Sequence, residues 1–148
     1  MTKPTEIKSF LQNLPNFSAV ESTALDWLIE KSEIREAAKD TFVFTPGDEV
    51  NHLIIVLVGS VDIYLEKPDG RQDLFLLTPG SISGNLPFSR SKGASAHGRA
   101  LEDVYMLYLN KVHFVEMVGV SYSLTQALVA VMSDRIRNVS QTQFQDEK

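Results

Sequence analysis

Leu53-Ile54-Ile55-Val56-Leu57-Val58, then Gly59, then Val61-Asp62-Ile63-Tyr64-Leu65: this stretch decides the fold. An unbroken apolar run of this length, stopped by glycine, has the length of a strand and is short for a helix. The residues after Ser60 alternate apolar and polar, as in a strand with one buried face. Downstream, Pro68-Asp69-Gly70 is a hairpin turn, Asp73 to Leu77 is a further strand, and Pro79-Gly80 closes it. Upstream, Thr41-Phe42-Val43-Phe44 is β-branched and aromatic and stops at Pro46-Gly47-Asp48. Beyond a Gly/Ser-rich segment, Val104 to Leu109 reads as the last strand. Short strands with Gly/Pro punctuation indicate an antiparallel barrel, roll or sandwich.

Both ends of the chain read as helical. Residues 5–13 place Ile7, Phe10 and Leu11 on one face, and Pro15 breaks that helix. Ser18 and Glu21 have the spacing of a capping box for a second helix, which carries Leu25, Leu28 and Ile29 and ends near Ser32. Residues 111–118 allow a short helix with a break near Gly119. From Ser123 onward there is no Gly or Pro, and Leu124, Leu128, Val131, Met132, Ile136 and Val139 recur three or four apart. Such a stripe, if longer than the β core covers, suggests a partner helix and a homodimer; the alternative is a helix packed entirely on its own roll. The division expected is residues 1–122 as one domain of N-terminal helices and strands, and 123–148 as a C-terminal helix for dimerisation or connection to a further domain.

The 148 residues are 43% hydrophobic and 22% charged, ordinary for one soluble domain. No apolar run is long enough for a membrane span, and the N-terminus lacks the apolar core of a signal peptide. With no cysteine, disulfide and thiolate chemistry are excluded, and the cytoplasm is the expected compartment. The net charge of -5 argues against direct nucleic-acid binding. From Leu74 to Leu101 there is no Asp or Glu, while Arg90, Lys92, His97 and Arg99 fall there: a positive island suited to an anion.

The order of helices and strands, with Pro46-Gly47-Asp48, Leu53 to Gly59, Pro79-Gly80 and Ala100-Leu101-Glu102-Asp103, resembles the cyclic-nucleotide-binding domain of the cyclic AMP receptor family. The resemblance implies a mainly β fold with flanking α-helices: an antiparallel double-stranded β-helix (a jelly-roll-like β-roll), with N-terminal helices and a long C-terminal helix. It also implies a phosphate cassette, in which a Gly-rich turn aims backbone N–H groups at an anion. The family pattern is Phe-Gly-Glu, eight residues, then Arg-Ser-Ala or Arg-Thr-Ala. Here Ser83-Gly84-Asn85 and Ala94-Ser95-Ala96 fall at that spacing. Asn85 replaces the glutamate that holds the ribose, and Ala94 replaces the arginine that neutralises the phosphate. A lost charged hydrogen bond costs about 2 kcal/mol, or some thirtyfold in affinity. The implied ligand is therefore a cyclic nucleotide held in a non-standard way, another small anion, or none. The residues implied to line the site are Ser83, Gly84, Asn85, Leu86, Arg90, Lys92, Ser95, Ala96 and His97; Arg99 is either a further source of charge or an exposed strand residue.

Gly84 to Arg90, and Val131 to Arg137 with the segment after it, are similar to the sensor domain and connecting helix of certain bacterial sensor histidine kinases. That implies an N-terminal sensing part whose kinase region would follow Lys148. A ligand-free dimeric scaffold, and the effector domain of a transcription regulator without its DNA-binding part, are the alternatives. Enzymatic chemistry in this chain is not expected. No Gly-x-Ser-x-Gly elbow, Walker loop or dinucleotide fingerprint is present. His52, His97 and His113 lack the His-x-His pairing of a metal-binding β-barrel.

Overall fold

The computed structural model describes residues 3–84 and 96–131. The chain opens with α1 (Pro4–Gln12), a 3-10 turn (Pro15–Phe17) and α2 (Ser22–Lys31). Eight strands follow: β1 (Glu33–Ala37), β2 (Phe42–Phe44), β3 (His52–Val58), β4 (Val61–Lys67), β5 (Gly70–Leu77), β6 (Ile82–Ser83), β7 (His97–Ala100) and β8 (Val104–Asn110). Then come α3 (Val112–Val120) and α4, helical over residues 122–131.

The strands form two four-stranded antiparallel sheets, ordered β1-β8-β3-β6 and β2-β7-β4-β5. This is the expected roll. Two apolar layers explain the sequence pattern of the deciding stretch. Ile54 and Val56 face the inside of the roll, with Val61, Ile63, Leu77, Ala100, Val104 and Met106. Leu53, Ile55 and Leu57 face the other way, onto Ile7, Leu11, Leu25 and Leu28 of the N-terminal helices. β3 is thus covered on both sides and reads as a continuous apolar run. Asp62 and Glu66 of β4 lie on the outer face, so that strand alternates. Each fully buried Leu or Ile contributes roughly 1.5–3 kcal/mol against exposure.

Some local expectations are corrected. Ser18 does not cap α2: its hydroxyl donates to the Pro15 carbonyl at 3.0 Å, and Glu21 is the N-cap residue. Gly119 does not break α3, which runs through it to Val120. β1 and β6 were not anticipated, and of β7 only Arg99 was read as a strand residue. β1 reads Glu-Ile-Arg-Glu-Ala, largely exposed at a sheet edge, and it carries no β-branched run to announce it.

The C-terminal stripe is used differently from expectation over its first turns. Leu124, Ala127 and Leu128 are buried in the same core as α1, α2 and β3, and Val131 packs against it. The beginning of the segment 123–148 therefore belongs to the core beneath the helices. The positions from Met132 onward lie outside the described residues. Among the described residues, no helix is long and apolar enough to cross a membrane.

Candidate ligand-binding site

Strand register places both ends of the cassette on the roll. Ser83 pairs with Ile54, and side chains directly opposite share a face, so Ser83 points to the inside of the roll. Gly84 follows with φ +126°, and a Cβ there would come within 2.5 Å of the His52 carbonyl oxygen. Only glycine lets the chain leave β6 at that angle and so close to β3. At the other end Ala96 is 7% exposed and belongs to the inner core, and Gly98 and Ala100 follow it on the same face. Asn85, Leu86, Arg90, Lys92 and Ser95 lie outside the described residues.

His97 is brought to a different surface from the one expected. Strand alternation sends it to the outer face of the β2-β7-β4-β5 sheet, away from Ala96 and Gly98. There it stacks on Tyr64, with ring centroids 5.0 Å apart and planes 14° apart. Phe42 lies 5.7 Å away on its other side, and the Glu66 carboxylate is 3.7 Å from Nε2. Arg71 covers Tyr64 at 3.9 Å, held by the Asp73 carboxylate at 2.7 Å and by Asp62. The result is a ladder of planar groups across four strands: Phe42, His97, Tyr64, Arg71.

The positive island is smaller than the sequence window implies. Arg99 sits on the outer face and pairs with Asp40 at 2.8 Å, a carboxylate from the β1–β2 turn. It does not face the roll interior as a source of charge. The histidines are likewise distributed. His113, on α3, faces Glu116 at 3.3 Å. His52 starts β3 beside Tyr108, at 5.5 Å between centroids. Burial pushes the His52 imidazole below its ordinary value, Arg35 adds to that, and Glu33 opposes it. Burial raises the Tyr108 hydroxyl against the pull of Arg35, which lies 4.3 Å over the Tyr108 ring and pairs with Glu33 at 2.9 Å.

The inside of the roll is apolar. Val43, Phe44, Leu65, Leu74, Phe75 and Tyr108 pack, partly buried, against the inner core. Such a lining suits a flat apolar group such as a base, with Ser83 and the Gly84 turn at its polar edge. Sequence reasoning missed the outer ladder and the Glu21 contacts described below. Both join residues far apart in the chain, and no local motif marks them.

Comparison with known proteins agrees with this geometry. Residues 34–120 match the family model of the cyclic nucleotide-binding domain. The cAMP-activated global transcriptional regulator Vfr of Pseudomonas aeruginosa is 28% identical over 111 residues, 72% of this chain and 51% of Vfr. Patatin-like phospholipase domain-containing protein 7 of Rattus norvegicus is 29% identical over 105 residues, 67% of this chain but 8% of that protein. This chain therefore spans about half of one relative and a small part of the other. A crystal structure of a cyclic nucleotide-binding domain from Methylobacillus flagellatus superposes with a TM-score of 0.77 at 18% identity, covering 94% of this chain and 81% of that one, which speaks for the fold. The match spans the roll from β1 through α3, and the chain belongs to the cyclic nucleotide-binding domain family.

Proposed function

We propose that this chain is a ligand-sensing regulatory domain rather than a catalyst, and that it takes a small anionic ligand of nucleotide type inside the roll. The observation that carries this reading is the placement of Ser83, Gly84 and Ala96. Both ends of the cassette open on the inner apolar face, and the Gly84 turn is tight against the His52 carbonyl. The replacements Asn85 and Ala94 make the grip weaker than, or different from, that of a standard member. Arg90 and Lys92 are the cassette cations that would balance the charge, with Ser95 as a donor. Titration calorimetry with a panel of cyclic and linear nucleotides tests the reading. Binding that weakens on Lys92→Ala supports it, and no heat with any nucleotide overturns it.

The output is read as a helix. Vfr is by its name a transcription regulator, and the rat protein by its name contains a phospholipase domain; in both, the matched part is a fraction of a longer chain. A domain of this family that hands its state to a following segment is the reading these support. The N-terminal sensor of a histidine kinase is our preferred version, on the sequence likeness of Gly84 to Arg90 and of Val131 to Arg137. The effector part of a transcription regulator is the alternative. Sequencing the reading frame beyond Lys148 decides between them.

A homodimer remains part of the reading, with a changed surface. Leu124 and Leu128 are spent on the domain's own core, whereas Val112, Val115, Val118 and Tyr122 are 53–73% exposed on α3 and the start of α4. A second copy would meet that face. Sedimentation equilibrium with Val115→Glu reads it directly: a monomer in place of a dimer supports this face.

The ligand-free scaffold is favoured by one contact. The Phe44 ring fills the space over Gly98 inside the roll. A roll that binds nothing in the calorimetric panel but still dimerises would establish that reading.

A further inference from the structure

Glu21 stands immediately before α2, and its carboxylate reaches residues 100 and 102 positions further along the chain. Oε2 accepts hydrogen bonds from Ser121 Oγ and from Ser123 Oγ, each at 2.7 Å. Ser121 is the joint between α3 and α4. Its N–H donates to the Met117 carbonyl at 2.9 Å and ends α3. Its Oγ accepts the Leu124 N–H at 3.1 Å, an N-cap for α4. Its carbonyl accepts from the Thr125 hydroxyl at 2.8 Å and the Thr125 N–H at 3.2 Å. Ser121 is 4% exposed, the one polar residue counted as buried among the described residues. A buried hydroxyl that already accepts a backbone N–H needs an acceptor for its own proton, and Glu21 supplies it.

A second tie runs in parallel. Trp27 Nε1 of α2 donates to Glu116 Oε1 of α3 at 3.4 Å. The apolar contacts of α4 through Leu124, Ala127 and Leu128 hold it against the core, but apolar packing has little direction of its own. Hydrogen bonds do have direction.

We propose that Glu21 is a positioning residue: a polar latch by which α2 sets the direction in which α4 runs on from α3. This goes beyond the ligand reading and does not depend on it, since the latch lies on the helical side of the β1-β8-β3-β6 sheet. Whatever moves α2 relative to the sheet is transmitted to α4 through two hydrogen bonds to one carboxylate oxygen.

Hydrogen–deuterium exchange on the full chain tests it. Glu21→Ala is expected to raise exchange over residues 122–131 by about tenfold, while β3 and β8 change by less than about twofold. Glu21→Gln keeps an acceptor oxygen and is expected to restore most of the protection. Unchanged exchange over 122–131 in Glu21→Ala overturns the proposal. So does an equal rise in β3 and β8, which would mark a merely structural role. Should Glu21→Ala not fold, Ser123→Ala removes one donor and leaves the Ser121 cap intact, and the same comparison of local with uniform change decides.

Discussion

The ring of Phe44 lies on Gly98 inside the roll, so near that a Cβ at residue 98 would stand 2.7 Å from it. The two residues pair across β2 and β7, where the register is irregular. Gly98→Ala must therefore push the ring into the inner core. The expected cost is about 1–3 kcal/mol, the usual range for an overpacked interior. Phe44→Leu in the same chain frees the space, so the double variant should be more stable than the sum of the single effects implies. Urea denaturation of the four proteins measures it. Simple additivity would show that the contact does not limit the packing.

Gly84 and Gly47 separate strain from collision. Both have positive φ, +126° and +92°. A Cβ at 47 meets nothing within 4 Å, whereas one at 84 meets backbone, the His52 carbonyl oxygen at 2.5 Å and the Leu53 Cα at 3.2 Å. Gly47→Ala is expected to cost roughly 1 kcal/mol of backbone strain, and Gly84→Ala clearly more than the roughly 3 kcal/mol upper end of strain alone. Thermal unfolding ranks them. Equal losses would mean that the close approach of residue 84 to β3 is readily relaxed.

Much of the roll was legible because its strands carry their own signals. Leu53 to Val58 announced a strand by the length of its apolar run, and the punctuation at Pro46-Gly47, Pro68-Asp69-Gly70 and Pro79-Gly80 marked the turns; that β3 is covered on both faces emerged only from the packing. β1 was not legible. Glu33, Arg35 and Glu36 favour a helix locally, and only pairing with β8 makes them a strand. The site divides in the same way. Gly84 was readable as a turn beside an anion, but the direction of His97 depended on a strand, β7, whose His-Gly-Arg-Ala carries no strand signature. Of the two roles open to Arg99 the structure shows the exposed strand residue, and its partner Asp40 was not legible because it is distant in sequence.

Three of the described groups have lowered values that bear on stability at acid pH. Hydrogen bonds from Ser123 and then Ser121 hold the Glu21 carboxyl below its ordinary 4.5. Glu116 is lowered as well, first by its hydrogen bond with His113. A carboxylate with a depressed folded-state value contributes stability above its unfolded value and loses it as pH falls through the folded one. His52 is lowered from 6.5, mainly by burial, so its unfolded form binds protons first and stability also falls as pH drops below that value. Melting temperature should therefore decline in two stages, one beginning near 6.5 and one below 4.5. His52→Gln should remove the first stage and Glu21→Gln should shrink the second. A profile of His52→Gln that matches the parent between pH 5 and 6.5 would rule out His52 as the cause.

His97 and Ser83 face opposite sides of the roll's wall, and that predicts opposite variants. His97→Ala removes a ring stacked on Tyr64 and leaves Phe42 without its neighbour. The expected loss is about 0.5–1.5 kcal/mol beyond buried area, seen as a lower urea midpoint. Ligand affinity should stay within about twofold, because a side chain on the outer face does not enter the site. Ser83→Ala takes one hydroxyl from the inner face opposite Ile54 and should leave stability almost unchanged. Its expected effect is on binding, about three- to tenfold for one neutral hydrogen bond. The two variants, assayed by calorimetry with whichever nucleotide gives heat, form a crossed pair. If His97→Ala abolished binding while keeping the parent's midpoint, the imidazole would have to turn through the sheet to reach the ligand. The assignment of the outer face to the ladder Phe42–His97–Tyr64–Arg71 would then be wrong.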